Sequence, residues 1–186
     1  MANPFEKIRL QAGETKRSVQ WYQTQIKQLG SLRPNKLMSD TPSLVNQIEP
    51  GRMYMFFYDA KYKDTLPYYD MFPLVLPFKK VPGGFLGLNL HYLPYMARFK
   101  LLGMLSEYAS DDKMNEDTRL IMSWKLLNSS SRLNMIKPCV KRYLATQLQS
   151  RFLQINYPDW VTASQLPVER FTADKSQVWR DSRVMY

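Results

Sequence analysis

The sequence predicts an α+β fold: a small antiparallel β-sheet of three or more strands, then a helical bundle, with extended N- and C-terminal arms. The strands are predicted from residues 51–92, where short aromatic and apolar runs alternate with turns rich in Pro, Gly and Asp. The helices are predicted from the residues after Pro94, where apolar side chains recur three and four positions apart. The chain has 186 residues, 45% of them apolar, which is enough to bury the core of one domain.

Residues 1–50 are predicted to form an N-terminal arm made of a helix and a Pro-rich linker. The helix is expected over residues 5–29, with an interruption at Gly13 and an end at Gly30. Its apolar residues follow a narrow seam with the spacing i, i+3, i+7, i+10: Val19, Tyr22, Ile26 and Leu29. Because an apolar seam is buried against another surface, we expect this one to contact a neighbouring protein.

A globular body is predicted over residues 51–166, and it begins with the sheet. Strands are expected at 53–58, 74–81 and 85–92, with the last two joined into a hairpin by a Pro-Gly-Gly turn. Pro77 lies within the second strand, and since proline lacks a backbone N–H, we expect this strand at an edge or with a bulge. The aromatic content of the strands predicts that both faces of the sheet are covered.

Three helices are predicted after the sheet, over residues 94–109, 115–127 and 137–155. Pro94 and Pro138 favour the starts of the first and third, because proline suits the first turn of a helix. A short helical turn is expected at about residue 160.

Residues 167–186 are polar and show no clear periodicity, which predicts an extended C-terminal tail. Its large side chains are isolated from one another. We expect two of them, Phe171 and Trp179, to anchor the tail to a neighbouring protein.

The net charge is +10, from 26 Lys and Arg against 16 Asp and Glu, and it has one local concentration. Residues 137–155 contain four basic side chains and no acidic one: Lys137, Lys141, Arg142 and Arg151. A helix with several cations and no anion is destabilised by repulsion unless a partner supplies negative charge. These residues are a candidate face for nucleic acid or for an acidic protein partner. The strand aromatics beside Lys79-Lys80 offer a second base-stacking surface, although such side chains more often form the core.

The sequence offers little material for catalysis. Cys139 follows a proline among basic residues, which would lower the pKa of its thiol, but His91 is the only histidine that could act as its base. We interpret Cys139 as a packing residue and His91 as a structural histidine. The acidic residues at 59–70 and 111–117 are interpreted as turn and helix-start residues rather than as metal ligands. We therefore expect no enzyme activity, no cofactor, no metal site and no small-molecule substrate, and no apolar run is long enough for a membrane span.

Residues 51–94 also contain a pattern that resembles a known family. It consists of a tyrosine-aspartate turn, then L-P-Y-Y-D-M-F-P-L, then G-L-N-L-H-Y-L-P. The stretches Ser129–Arg132 and Lys137–Lys141 add to the pattern. It is similar to that of a small virion or virion-assembly protein family of T-even-like contractile-tailed bacteriophages. The resemblance covers residues 51–170 and brings no catalytic residues with it.

The resemblance implies a virion component of the tail, baseplate or neck, made in the host cytoplasm. The main hypothesis is therefore a structural subunit that holds neighbouring phage proteins through its two arms. The alternative is a basic virion protein that binds packaged DNA or its ends through the cations of residues 137–155.

Overall fold

The computed structural model describes residues 4–40, 43–109 and 136–184. The strands in these ranges are β1 (Leu44–Val45), β2 (Met53–Met55), β3 (Leu74–Val81), β4 (Gly84–Asn89), β5 (Val140–Leu144) and β6 (Phe152–Ile155). The helices are α1 (Pro4–Ala12), α2 (Val19–Gln28), α3 (Pro34–Asp40), α4 (Tyr95–Ala109), α5 (Trp160–Gln165) and α6 (Lys175–Val184). Shorter 3₁₀ turns are Leu90–Tyr92, Lys137–Cys139, Ala145–Gln147 and Tyr157–Asp159. The predicted α+β class is confirmed.

The described strands form one antiparallel sheet with the order β1-β6-β2-β3-β4-β5. The predicted hairpin of β3 and β4 is present, and its turn contains Gly83 with a φ of 76°, which glycine adopts without strain. The register of β3 against β4 shifts between Pro77 and Lys79, so Pro77 lies at a bulge. Because β3 pairs with a strand on each side, the bulge rather than an edge position accommodates the proline.

The sheet separates two hydrophobic clusters, since neighbouring residues of a strand point to opposite faces. Met55 pairs with Leu74 and Leu153 across three strands, and these side chains lie in the main core with residues of α1, α2, α4 and α5. Tyr54 pairs with Val75 and points to the other face, where a smaller aromatic cluster lies. That cluster includes Phe56, Tyr58, Phe85, Tyr143 and Phe152. Both faces of the sheet are therefore covered.

Residues of the predicted N-terminal arm belong to the main core. Ile8 of α1 and Ile26 of α2 are buried there, and β1 extends the sheet by pairing with β6. Arg9 of α1 also pairs with Asp159, with Nη1 2.9 Å from Oδ2. The division of the chain at residues 50 and 166 stays a prediction. These contacts nevertheless correct the expectation of an arm that packs only on a neighbour.

The C-terminal segment is also folded against this chain. Residues 175–184 form α6 rather than an extended tail, and Val178 of this helix is fully buried in the main core. The indole Nε1 of Trp179 donates to the carbonyl oxygen of His91 at 2.9 Å. The expectation of an extended tail is therefore wrong for residues 175–184.

The structure also corrects the predicted helix over residues 137–155. This segment forms a 3₁₀ turn, then the edge strand β5, and then β6 between β1 and β2. Apolar residues at 140, 143 and 144 satisfy helical spacing, but Tyr143 is β-favouring and lies directly opposite Phe85 of β4. The four cations are consequently spread over a turn, a strand and a loop.

The predicted helix over residues 115–127 and the stretch Ser129–Arg132 lie outside the described residues. Among the helices that the structure describes, none combines the length and the apolar character needed to cross a bilayer. Within the same ranges, His, Cys, Asp and Glu side chains form no group of three or more that could hold a metal ion.

Candidate nucleic-acid interface

A cleft of about 520 Å³ lies between the edge strand β5 and the connection from β2 to β3. Six tyrosines of the described ranges line it: Tyr58, Tyr62, Tyr68, Tyr69, Tyr92 and Tyr143. Its basic lining residues are Lys61, Lys141 and Arg142. Aromatic rings interleaved with cations suit nucleic acid, because rings stack on bases and cations pair with phosphates. We name this feature the tyrosine cleft.

The tyrosine cleft rests on a buried hydrogen-bond network centred on Asp70. The Oδ2 atom of Asp70 lies 2.7 Å from Nδ1 of His91 and accepts from the side-chain amide of Asn89 at 3.1 Å. Its Oδ1 atom accepts the backbone N–H groups of Phe72 and Arg170, both at 3.1 Å. Burial alone would raise the pKa of Asp70, but His91 and these donors lower it overall. The carboxylate therefore stays ionised and fully engaged below the cleft.

A second buried pair supports the turn that carries His91. Arg98 of α4 lies 2.7 Å from Glu169 (Nη2 to Oε1), and both side chains are buried. The guanidinium also donates to the carbonyl oxygens of His91, Leu93 and Ser164. Burial acts to raise the pKa of Glu169, but the charges of Arg98 and His91 and the hydrogen bonds to the carboxylate together outweigh it and lower the pKa. The pair thus ties α4, α5 and the chain before α6 to the floor of the cleft.

Lys141 is the partly buried cation of β5 in the lining of the tyrosine cleft. Its Nζ atom lies 4.0 Å from the centroid of the Tyr92 ring. Burial lowers the pKa of this ammonium group, and no carboxylate in the described ranges forms an ion pair with it. A partly desolvated charge without a counter-ion is unfavourable until an anion binds. Lys141 is therefore prepared to receive an anionic group.

The rim of the tyrosine cleft is the exposed loop of residues 61–67. Tyr62 is 61% exposed, and the Lys61 ammonium lies 5.3 Å from the centroid of its ring. Asp59 is held by two neighbours, because Tyr69 donates to it at 2.7 Å and Lys63 pairs with it at 2.8 Å. Asp59, beside the rim, is thus neutralised. The rim itself carries the exposed Asp64, and the Tyr62 ring and the Lys61 cation are also accessible there.

The structure brings two of the four sequence-predicted basic residues together. Lys141 and Arg142 are neighbours on β5 and both line the cleft. Arg142 is exposed and donates to the carbonyl oxygen of Pro82 at 2.9 Å. Lys137 and Arg151 are also exposed but do not line the cleft. The role of all four in binding stays a prediction.

The residues predicted to contact a neighbouring protein pack against the chain's own core. Val19 and Ile26 are buried, with 5% and 4% of their surface exposed. The other four are partly buried against the main core: Tyr22, Leu29, Phe171 and Trp179. Because the first two already have their partners within the chain, they are not accessible to a neighbour in this structure. For the other four, an interface role stays a prediction.

Cys139 and His91 are both fully buried. Burial raises the pKa of the Cys139 thiol to about 12, in spite of the Lys141 and Arg98 charges nearby. The thiol is therefore protonated at neutral pH, contrary to the lowering that its basic sequence neighbours would produce. His91 is committed to Asp70, which agrees with its interpretation as a structural histidine.

Sequence reasoning missed most of the residues that line the tyrosine cleft. The acidic residues at 59–70 are interpreted as turn residues, although Lys61, Tyr62 and Lys63 between them alternate basic and aromatic side chains. Tyr68 and Tyr92 belong to the recognised sequence pattern, but nothing in the sequence shows that they meet. In the structure their ring centroids are 6.2 Å apart.

The family model of the phage T4 terminal DNA protecting protein matches residues 6–185. Searches of curated proteins and of solved structures found no match. Since the matched residues span nearly the whole sequence, the chain belongs to this family of T4-like phage proteins. The main functional hypothesis, a structural subunit of the tail, baseplate or neck, is therefore wrong. The family description supports the alternative hypothesis, which concerns packaged DNA and its ends.

Proposed function

We propose that this member of the terminal DNA protecting protein family binds the ends of packaged phage DNA through the tyrosine cleft. The family description supplies the nature of the ligand, which is terminal DNA. The observation that carries the proposal is the state of Lys141, a partly desolvated cation on an aromatic ring without a carboxylate partner in the described residues. A DNA phosphate in the cleft supplies the missing anion.

Each part of the cleft has a role in this proposal. Lys141 and Arg142 hold the sugar–phosphate backbone from the strand side, and Lys61 holds it from the rim loop. The exposed ring of Tyr62 stacks on a base without regard to sequence, since every base has a π-face. Asp70 does not repel the ligand strongly, because its carboxylate is engaged by His91 and Asn89.

Protection in this proposal is steric and requires no bond to be made or broken. An end that lies in the cleft is covered by the chain and is not accessible to an exonuclease. The net charge of +10 attracts any DNA, so the surface charge alone does not distinguish an end from the middle of a duplex. The concave cleft supplies that distinction, because only an end can enter it. We place the protein in the virion on the packaged DNA, as the alternative hypothesis does.

The proposal is tested by comparing one DNA sequence in two forms, a linear duplex and a covalently closed circle. We expect tighter binding to the linear form, an affinity that falls steeply with salt, and slower digestion of the linear form by an exonuclease. Equal affinity for the two forms, with no slowing of digestion, would contradict the proposal.

A pair of double variants locates the site. Lys61→Gln with Arg142→Gln removes two cations from the cleft, whereas Lys100→Gln with Arg180→Gln removes two exposed cations from α4 and α6. Both variants lower the net charge equally, so both weaken general attraction to DNA. Only the cleft variant is expected to lose the preference for linear DNA and the protection from digestion.

A further inference from the structure

We infer that the tyrosine cleft takes the unpaired terminal nucleotide of a DNA strand, with its terminal phosphate on Lys141 and its base on a tyrosine of the rim. This inference rests on the proposed function and names the chemical form of the end that the site accepts. It assigns the phosphate to Lys141 and the base to a tyrosine of the rim, so each assignment can be tested by its own variant.

The size of the cleft favours one strand over a duplex. A volume of about 520 Å³ is small for the two strands of a duplex end but suits one nucleotide. The volume lies in the range of pockets that enclose a small molecule, so an unpaired nucleotide fits.

The charge at the cleft floor favours a terminal phosphate over an internal one. A terminal phosphomonoester carries about −1.5 to −2 charges at neutral pH, whereas each phosphate within a strand carries a single charge. Lys141 is partly buried beside Tyr92, where a charge interaction is screened less than at the surface. The extra charge of the monoester therefore strengthens binding more at Lys141 than it would at a cation on the surface. Only a strand end offers that group.

The rings around the floor supply the stacking surface for the base. The Tyr58, Tyr92 and Tyr143 rings are buried and already make aromatic contacts within the chain. Tyr62 is 61% exposed at the rim and carries the Lys61 cation beside it. An unpaired base can reach this ring, whereas a base within a duplex is already stacked on its neighbours.

The experiment uses the full chain and short duplexes in which one end is varied and the other is sealed by a hairpin loop. The varied end is blunt or carries an unpaired overhang, and each type bears either a terminal phosphate or a hydroxyl. We expect the phosphorylated overhang to bind on the order of tenfold more tightly than the hydroxyl overhang. We expect blunt ends to bind more weakly than either.

Three variants assign the roles. Lys141→Met should abolish the preference for the phosphate, whereas Lys141→Arg should keep it because the charge is retained. Tyr62→Ala should weaken overhang binding by about tenfold and leave the phosphate preference in place. Lys100→Met, a control on the exposed side of α4, should change neither preference. Circular dichroism and thermal unfolding establish that each variant is folded. If Lys141→Met does not fold, the result for Lys141→Arg decides the question.

The outcomes separate this inference from the proposed function. Equal binding of phosphate and hydroxyl ends, or a phosphate preference that survives Lys141→Met, overturns the inference. The proposed function still stands in that case if open ends bind more tightly than a closed circle. If open and closed DNA bind equally, the proposed function fails as well.

Discussion

The Nδ1 atom of His91 lies 2.7 Å from the Oδ2 atom of Asp70, and both side chains are completely buried. The two residues are 21 positions apart and come from the two halves of the recognised sequence pattern. Their contact joins the chain before β3 to the turn after β4. Asp70 lines the tyrosine cleft, and so does Tyr92, the residue after His91. The contact between Asp70 and His91 therefore holds both lining residues in place at the floor of the cleft.

Asp70→Asn should lower the free energy of unfolding by about 3–5 kcal/mol, because the amide replaces a buried anion that accepts from four donors. In either orientation the new NH₂ group would face two donors, those of His91 and Asn89 or the backbone N–H groups of Phe72 and Arg170. Urea unfolding measures the effect. Asp64→Asn, a change of the same type in the exposed rim loop, should alter stability by less than about 0.5 kcal/mol. Similar values for the two variants would contradict the central role of Asp70.

Stability should fall when the pH is lowered into the acid range. The folded-state pKa values of Asp70 and Glu169 lie below their ordinary values of 3.8 and 4.5, so both groups stabilise the fold while they are ionised. This contribution is complete above the ordinary values and is lost as the pH falls through the lowered ones. Asp159 acts in the opposite direction, since burial raises its pKa, but it is one carboxyl group against three, because hydrogen bonds from Lys63 and Tyr69 also lower the pKa of Asp59.

Urea unfolding at a series of pH values measures this dependence. Glu169→Gln should unfold more easily at neutral pH and lose less stability on acidification than the unmodified chain. An unchanged slope in this variant would show that the Arg98–Glu169 pair does not contribute to acid unfolding.

Two neighbouring residues of α1 test whether the first helix belongs to the fold. Ile8 is fully buried in the main core, whereas Leu10 is 75% exposed. Ile8→Ala should cost about 2–5 kcal/mol of stability, because it removes buried methyl groups and leaves a cavity. Leu10→Ala should change stability by less than about 0.5 kcal/mol. If Ile8→Ala leaves the unfolding midpoint unchanged, the helix would behave as the independent arm that the sequence predicts.

Two glycines should respond to alanine in opposite directions. A methyl group on Gly84 would overlap the backbone carbonyl of Tyr143 in the neighbouring strand β5. Gly84→Ala should therefore destabilise the protein by about 1–3 kcal/mol and loosen the edge that borders the cleft. Gly103 lies within α4, and no described atom is within 4 Å of an added methyl group. Gly103→Ala should stabilise the helix by about 0.5–1 kcal/mol. Thermal unfolding of the two variants checks both signs.

The sequence predicts those elements that depend on residues close together in the chain. The hairpin of β3 and β4 follows from its turn residues, and α4 follows from its proline start and its apolar spacing. Positions 140, 143 and 144 satisfy helical spacing and therefore predict a helix over 137–155, whereas the strand partners that decide the outcome lie far away in the sequence. The nearest of these partners, Leu88, is 52 positions before Val140.

The tyrosine cleft was beyond prediction for the same reason. It combines residues 58–70 with residues 140–144, and only the completed sheet brings these segments together. The sequence showed Lys141 and Arg142 as charges, but their aromatic surroundings come from the other segment. The burial of Val19 and Ile26 within this chain could not be predicted either. A narrow apolar seam has the same spacing whether it packs against its own chain or against a partner.

The strand order has a consequence for how the protein is made. The strand β6 lies between β1 and β2, although it begins 97 positions after the end of β2 along the chain. β1 and β2 lack the strand that joins them until the ribosome has produced residue 155, and β4 lacks its edge partner until residue 144. We therefore expect folding to be largely post-translational for this sheet and slower than for a helical protein of equal length. The incomplete chain exposes its aromatic strands during that interval, and exposed apolar surface and unpaired strand edges favour aggregation.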